Sequence, residues 1–225
     1  MYRYETHLHT SPVSTCAGCS VRENLEFYKA LGYDGVFITN HFIDGNIGCD
    51  RSLPYEDKIN FYFSDYEEGL RLGEEIGIKV FAGVEISYGG TDFLVYGLDK
   101  SWFLAHPEYE TLYISEKLAL MAENGGLIIQ AHPFREASYI NHIRLFPRHV
   151  AGVEVFNACR SDFENQMAEL YAKSYNLIPF AGSDNHQASA KTVLGGMESA
   201  TPIKNEADFI EGVLNGSALP FKQSL

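Results

Sequence analysis

The strongest constraint on this chain is its alternation of short apolar, β-branched runs with longer amphipathic ones. Tyr2 to Leu8 reads as a strand and Val21 to Leu31 as a helix, with Ser20 and Glu23 at capping-box spacing and Gly32 at its end. Strand-like runs follow at Gly35 to Thr39, Lys79 to Ile86, Asp92 to Tyr96, Gly126 to Ala131, Gly152 to Phe156 and Ile178 to Ala181. Helical runs fall between them. One ends at Ile76, with Ser64 and Glu67 at cap spacing; another covers Leu112 to Glu123. A third follows Ser161 and Glu164, Asn205 to Leu214 reads as a closing helix, and the stretch from Gly216 reads as irregular. This order predicts an α/β fold, a parallel sheet with helices outside, in a single domain spanning residues 1–225. So many strands in one domain point to a barrel rather than an open sheet, and neither a dinucleotide-binding glycine fingerprint nor a P-loop is present.

The chemistry-bearing side chains gather at one kind of place. His7 and His9 close the first strand, His41 follows GVFITN, Glu85 follows VFAGV, His132 follows LIIQA, and Asn157 follows GVEVF. Asp184 and His186 follow IPFAGS. In (β/α) barrels the C-terminal strand ends converge on one face, which holds the active site. Residues two apart on a strand project to the same side, so His7 and His9 can grip one ion, and Asp184 and His186 repeat that spacing on the last strand. Imidazole and carboxylate are ligands for Zn, Mn or Fe, and a carboxylate such as Glu85 can bridge two ions. Asn157 can instead order a turn. A lone His-x-His is weak evidence, but structural roles would scatter such residues rather than place them at matching strand ends.

With 30 acidic against 17 basic residues, a formal charge of -13 repels a phosphate backbone over most of the surface. A small anionic substrate stays compatible, because bound cations can reverse the local field; binding to long nucleic acid or to a membrane is disfavoured. Cys16, Cys19, Cys49 and Cys159 make no disulfide framework, which suggests a reducing, cytoplasmic setting, and Cys16-x-x-Cys19 has no second pair to make a zinc site. The start of the chain runs straight into a strand without a leader pattern, and no stretch nears the about 18 apolar residues of a membrane span.

The ordered strings THLHT, TNH, GVE, QAHPFR and AGSDNH resemble the PHP family (polymerase and histidinol phosphatase domains) over nearly the whole chain. The resemblance implies a distorted seven-stranded (β/α) TIM-like barrel with two or three divalent metal ions (Zn, Mn or Fe), held by His7, His9, His41, Glu85, His132, Asp184 and His186. Two positions depart from the family pattern. Cys16 stands nearest to where a third-metal Asp or His is usual, and a thiolate there would favour zinc. Asp92 stands where a histidine often opens an HLLGY-like strand. Arg135, in HPFR, and Arg160, just past Asn157, lie near the expected mouth and can hold a phosphate bidentately.

The resemblance implies a metal-dependent phosphoester hydrolase, a phosphatase or phosphodiesterase for a small metabolite or nucleotide, working through a metal-activated hydroxide with no side-chain nucleophile. Amidohydrolases, which also open with His-x-His, are the alternative enzyme class; a non-catalytic metal-binding module is the alternative outside enzymes. The stretch Phe42 to Asn60 follows a ligand and is the expected place for a lid that sets specificity.

Overall fold

The alternation of strands and helices is built largely as the local signals require. The computed structural model describes residues 1–188 and 192–225. Helix α1 (Val21–Ala30) starts at a full capping box of Ser20 and Glu23, and α5 (Asp162–Tyr175) at one of Ser161 and Glu164. Each box satisfies first-turn N–H groups that the helix itself leaves unbonded. Helix α2 (Tyr55–Ile76) begins earlier than its expected cap. Ser64 lies inside it and donates to the Phe61 carbonyl at 2.7 Å, while Pro54 precedes the first turn. The expected lid is therefore divided, its end (55–60) being the start of α2. Helices α3 (Lys100–Ala105), α4 (Ile114–Glu123) and α6 (Glu206–Asn215) complete the described α-helices, and none is long and apolar enough to cross a membrane.

The strands are β1 (Tyr2–Leu8), β2 (Gly35–Ile38), β3 (Lys79–Tyr88), β4 (Thr91–Tyr96), β5 (Leu127–Ala131), β6 (Gly152–Asn157), β7 (Ile178–Gly182), β8 (Val193–Ser199) and β9 (Ala218–Ser224). Their order is β7-β6-β5-β4-β3-β2-β1-β8-β9. A parallel bridge from Leu8 to Asn185 brings the end of β1 against the segment after β7, so the sheet curls into a nearly closed barrel.

Two sequence expectations need correction. The described sheet has nine strands, not seven, because β8 and β9 extend it antiparallel beyond β1. The stretch after Gly216, expected to be irregular, is β9. Both strands lack a clean apolar pattern: β8 carries Gly195-Gly196 and β9 carries Pro220, so only pairing with β1 and with each other makes them strands. The sheet is also mixed. The two-residue connection Gly89-Gly90, with φ of 55° and 89°, suits a type I′ hairpin turn and sends β4 back antiparallel between β3 and β5.

The barrel is filled below its chemistry by aromatic packing. Phe209 of α6 stands 4.3 Å from the Phe37 ring and 5.3 Å from Tyr96, centroid to centroid. Tyr96 donates its hydroxyl to the Thr6 carbonyl at 2.7 Å, which ties this plug to the residue beside His7. Phe209 is fully buried. Phe209→Ala is expected to cost about 3–5 kcal/mol of stability, seen as a lowered urea midpoint with an unchanged denaturant slope.

Candidate metal centre

At one mouth of the barrel the expected ligands converge. His7 is the penultimate residue of β1 and His9 lies just past its end; His41 lies beyond β2, Glu85 within β3, His132 directly after β5, and Asp184 and His186 beyond β7. Asp92 reaches the same mouth from the start of β4, because that strand runs in reverse, with Asp92 paired to Ala131.

His7 sits at the middle of the cluster. Its Nε2 is 3.2 Å from Glu85 Oε1 and 3.6 Å from Asp184 Oδ1, and its Nδ1 is 3.0 Å from Glu154 Oε1. His9 Nε2 lies 3.5 Å from Glu85 Oε2 and 3.4 Å from Asp184 Oδ1. Glu85 also meets His41 Nδ1 at 2.7 Å and His132 Nε2 at 3.4 Å. Four groups of ligand atoms fall within 4.8 Å of one another: His9, His41 and His186; His7, Glu85 and His132; His7, His9 and Asp184; and Cys159, Asp184 and His186.

These groups include neither Cys16 nor Asp92. Cys16 hydrogen-bonds with His186 and His41, and Asp92 faces Arg135 at 3.6 Å and His132 at 3.9 Å. Arg135 and Arg160 line the same cleft, of about 620 Å³, and the Nε of each is buried without a hydrogen bond. From the expected lid, Arg51 and Asp44 reach the cleft wall.

A cation fits this donor set. His7 Nε2, His9 Nε2 and Glu85 Oε2 are buried and make no hydrogen bond, although each faces the others closely. Buried polar atoms without partners are costly, and convergent imidazole and carboxylate atoms are what Zn, Mn or Fe bind. The backbone is strained at two of the positions, His132 with φ 25° and Asp184 with φ 51°. Non-glycine residues there cost about 1–3 kcal/mol each and persist where the surroundings over-determine them, as at functional sites.

Electrostatics bind the cluster together in the protein itself. Burial works against charge on Glu85, yet His41 and His7 hold its carboxyl well below the usual range; His7, His9 and His132 do the same for Asp184. Burial and the neighbouring charges of His41 and His186 push His9 down to about 3. On His186 burial also disfavours charge, but Cys159, Cys16 and Asp184 outweigh it and push the group up to about 10. Burial raises the Cys16 thiol, and its contacts with His186 and His41 bring it down to about 6.

Three supporting residues carried weaker signals in the sequence. Glu154 accepts from the His132 N–H at 3.0 Å and from Asn157 Nδ2 at 2.8 Å while facing His7 Nδ1. It thereby sets the orientation of two imidazole-bearing strands. An acid inside the buried run GVEVF was the available signal. Asn157 does order a turn, accepting from the Cys159 N–H at 2.8 Å, and also donates to Asp184 Oδ2 at 3.3 Å. Glu5, fully buried in β1, accepts from the N–H groups of Thr6, His7 and Ser183 at 3.0, 2.9 and 2.9 Å, fastening β1 to the segment that carries Asp184.

No family model and no curated protein matches this chain. Solved structures do match it in fold. A two-domain protein from Bacteroides vulgatus containing a PHP-like metal-dependent phosphoesterase aligns with a TM-score of 0.70 at 16% identity, over 98% of this chain and 64% of that one. The chain thus spans under two thirds of that protein. A metal-dependent phosphoesterase from Bifidobacterium adolescentis aligns with a TM-score of 0.59 at 15% identity, over 93% of this chain and 95% of the other. An amidohydrolase from Chromobacterium violaceum aligns with a TM-score of 0.58 at 14% identity, over 96% and 97%.

The chain shares the fold of these proteins, and PHP-like phosphoesterases, the family that the sequence motifs resemble, stand among them. In this chain the His, Glu and Asp cluster itself brings together the kinds of ligand atom that a divalent cation takes.

Two outcomes follow from the geometry. Glu154→Gln is expected to leave the far-UV circular dichroism unchanged and weaken metal affinity by about 10–100-fold, measured by competition with a chromophoric chelator. Because a cation must displace the proton that His186 holds up to about 10, zinc uptake at that residue should strengthen as pH rises from about 6 to 9. Calorimetric titrations across that range read the change as increasing affinity with net proton release.

Proposed function

We propose that this chain is a PHP-family phosphoester hydrolase, a single-domain enzyme acting on a small phosphorylated metabolite or nucleotide. The observation that carries the reading is the set of buried donor atoms on His7, His9 and Glu85, without hydrogen-bond partners, at the base of a cleft whose wall carries three arginines, Arg51, Arg135 and Arg160. His7, His9, His41, Glu85, His132, Asp184 and His186 would hold two or three divalent ions. Bound there, such ions supply Lewis-acid stabilisation of a phosphoryl group and acidify water. Glu85, facing four histidines, would be shared between the ions they hold.

The chain's own residues account for binding and orientation. Arg135 donates to the Tyr139 hydroxyl at 2.7 Å and faces Asp92, which holds its guanidinium at the cleft wall. Arg160 stands 3.9 Å from Glu164, at the start of α5. Their Nε groups provide donors for phosphoryl oxygens, and a guanidinium matches a phosphate bidentately. Asp92 in this reading is the partner of Arg135 first and an outer contact of His132 second. Tyr109 and Lys117 hold Asp44 at 2.9 and 3.1 Å, fixing the loop that follows His41.

The amidohydrolase neighbour favours a second reading, hydrolysis of an amide by the same centre. Phosphomonoester, phosphodiester and amide panels, assayed on protein loaded with Mn, Zn or Fe, separate the two. Release of inorganic phosphate or of a phosphomonoester supports the proposal; turnover of amides alone supports the second reading. A fully metallated protein silent on all panels would indicate a non-catalytic module. His9→Ala and Asp184→Asn should each lower phosphoester turnover by about 10³-fold or more while circular dichroism stays that of the wild type. Wild-type rates in both variants would refute the assignment.

A further inference from the structure

Cys159 is given no role by the sequence motifs, yet the fold brings it to the metal centre. It lies two residues past Asn157, whose side-chain amide accepts from the Cys159 N–H and donates to Asp184 Oδ2. One amide thus fixes the loop after β6 against the loop after β7. The Cys159 thiol donates to the Asp184 carbonyl at 3.0 Å and also contacts His186. Its sulfur, a carboxylate oxygen of Asp184 and a ring nitrogen of His186 all lie within 4.8 Å of one another, and the three residues line the cleft. Ligand atoms bound tetrahedrally to one zinc stand about 3.3–3.8 Å apart, given typical Zn–N and Zn–S bond lengths. Small side-chain movements close that difference. His186 belongs in addition to the group with His9 and His41, which places this position at the outer edge of the centre.

We propose that Cys159 is a thiolate ligand, with Asp184 and His186, of a divalent cation at the outer edge of the centre, and that it biases this position toward zinc. The inference rests on the metal centre proposed above. On binding, the Cys159 S–H gives its proton to solvent, the hydrogen bond to the Asp184 carbonyl is released, and the sulfur–metal bond forms, with no change of oxidation state. A soft sulfur donor favours zinc over manganese, so the outer position differs in preference from the oxygen- and nitrogen-lined floor. Cys16 touches His186 and His41 from the other loop but enters no group of converging ligand atoms. The geometry therefore selects Cys159 as the thiolate.

The test is a cobalt(II) titration of the metal-free full chain, followed by absorption, with Cys159→Ser and Cys16→Ser alongside. An ultraviolet thiolate-to-cobalt charge-transfer band in the wild type and in Cys16→Ser, lost in Cys159→Ser, is the expected result. A band that survives in Cys159→Ser overturns the proposal. Cobalt bound with visible ligand-field absorption but no charge-transfer band overturns it too, leaving the metal centre itself intact. No bound cobalt at all removes both readings together. Should Cys159→Ser fail to fold, the wild type alone decides: zinc must protect Cys159 from N-ethylmaleimide by peptide mapping, and equal labelling with and without zinc overturns the assignment.

Discussion

Everything at the mouth of this barrel depends on His7 being held between carboxylates in a place that water does not reach. Its two nitrogens face Glu154 at 3.0 Å and Glu85 at 3.2 Å, and all three residues are essentially buried. Carboxylates so placed are tolerable only when paired, because an uncompensated buried charge is costly. The histidines provide that compensation within the protein, and a cation would provide it more fully. The same requirement explains why Glu85 has the imidazoles of four residues around it.

That arrangement requires the barrel to close accurately between its first and last parallel strands. Asn185 donates to the His7 carbonyl at 3.2 Å and accepts from the His9 N–H at 3.0 Å, so the residue between Asp184 and His186 is itself hydrogen-bonded to the two histidines of β1 and its end. Glu5 adds a carboxylate that takes N–H groups from both sides of this seam. Beneath it, Tyr96 links the seam to the aromatic plug around Phe209. The strained backbone at His132 and Asp184 is held by this framework, with Glu154 accepting from the His132 N–H and Asn157 donating to the Asp184 carboxylate. Core packing, strand closure and ligand placement are therefore one mechanical unit.

The cleft above the centre is polar and charged on its walls, in a chain whose overall charge is -13. Arg51, Arg135 and Arg160 set guanidinium groups among the carboxylates of Asp44, Glu85, Asp92 and Asp184 around this cleft, so both signs of charge meet at the mouth of an otherwise acidic molecule. Thiols on two different loops flank His186 at the outer rim. The inner floor offers nitrogen and oxygen donors, so the centre changes from hard to softer ligand character from floor to rim.

Much of this was legible in the sequence, and the reasons are local. Strands β1 to β7 announced themselves as apolar runs, and His7, His9, His41, Glu85, His132, Asp184 and His186 stood at or near their ends; strand periodicity and barrel geometry suffice to gather them on one face. Capping boxes at Ser20 and Ser161 were readable because they are contacts between residues three apart. What the sequence could not determine involves partners distant along the chain. β8 and β9 are strands because β1 offers an edge, not because VLGGMES or ALPFKQS favours extension. Glu154 and Cys159 acquire their neighbours from strands 22 to 147 residues away, and Asp92 shares the mouth only because a glycine hairpin reverses β4. Residue types and periodicity determine which groups can reach a common face; hydrogen bonds across the closed barrel decide which of them touch, and with what orientation.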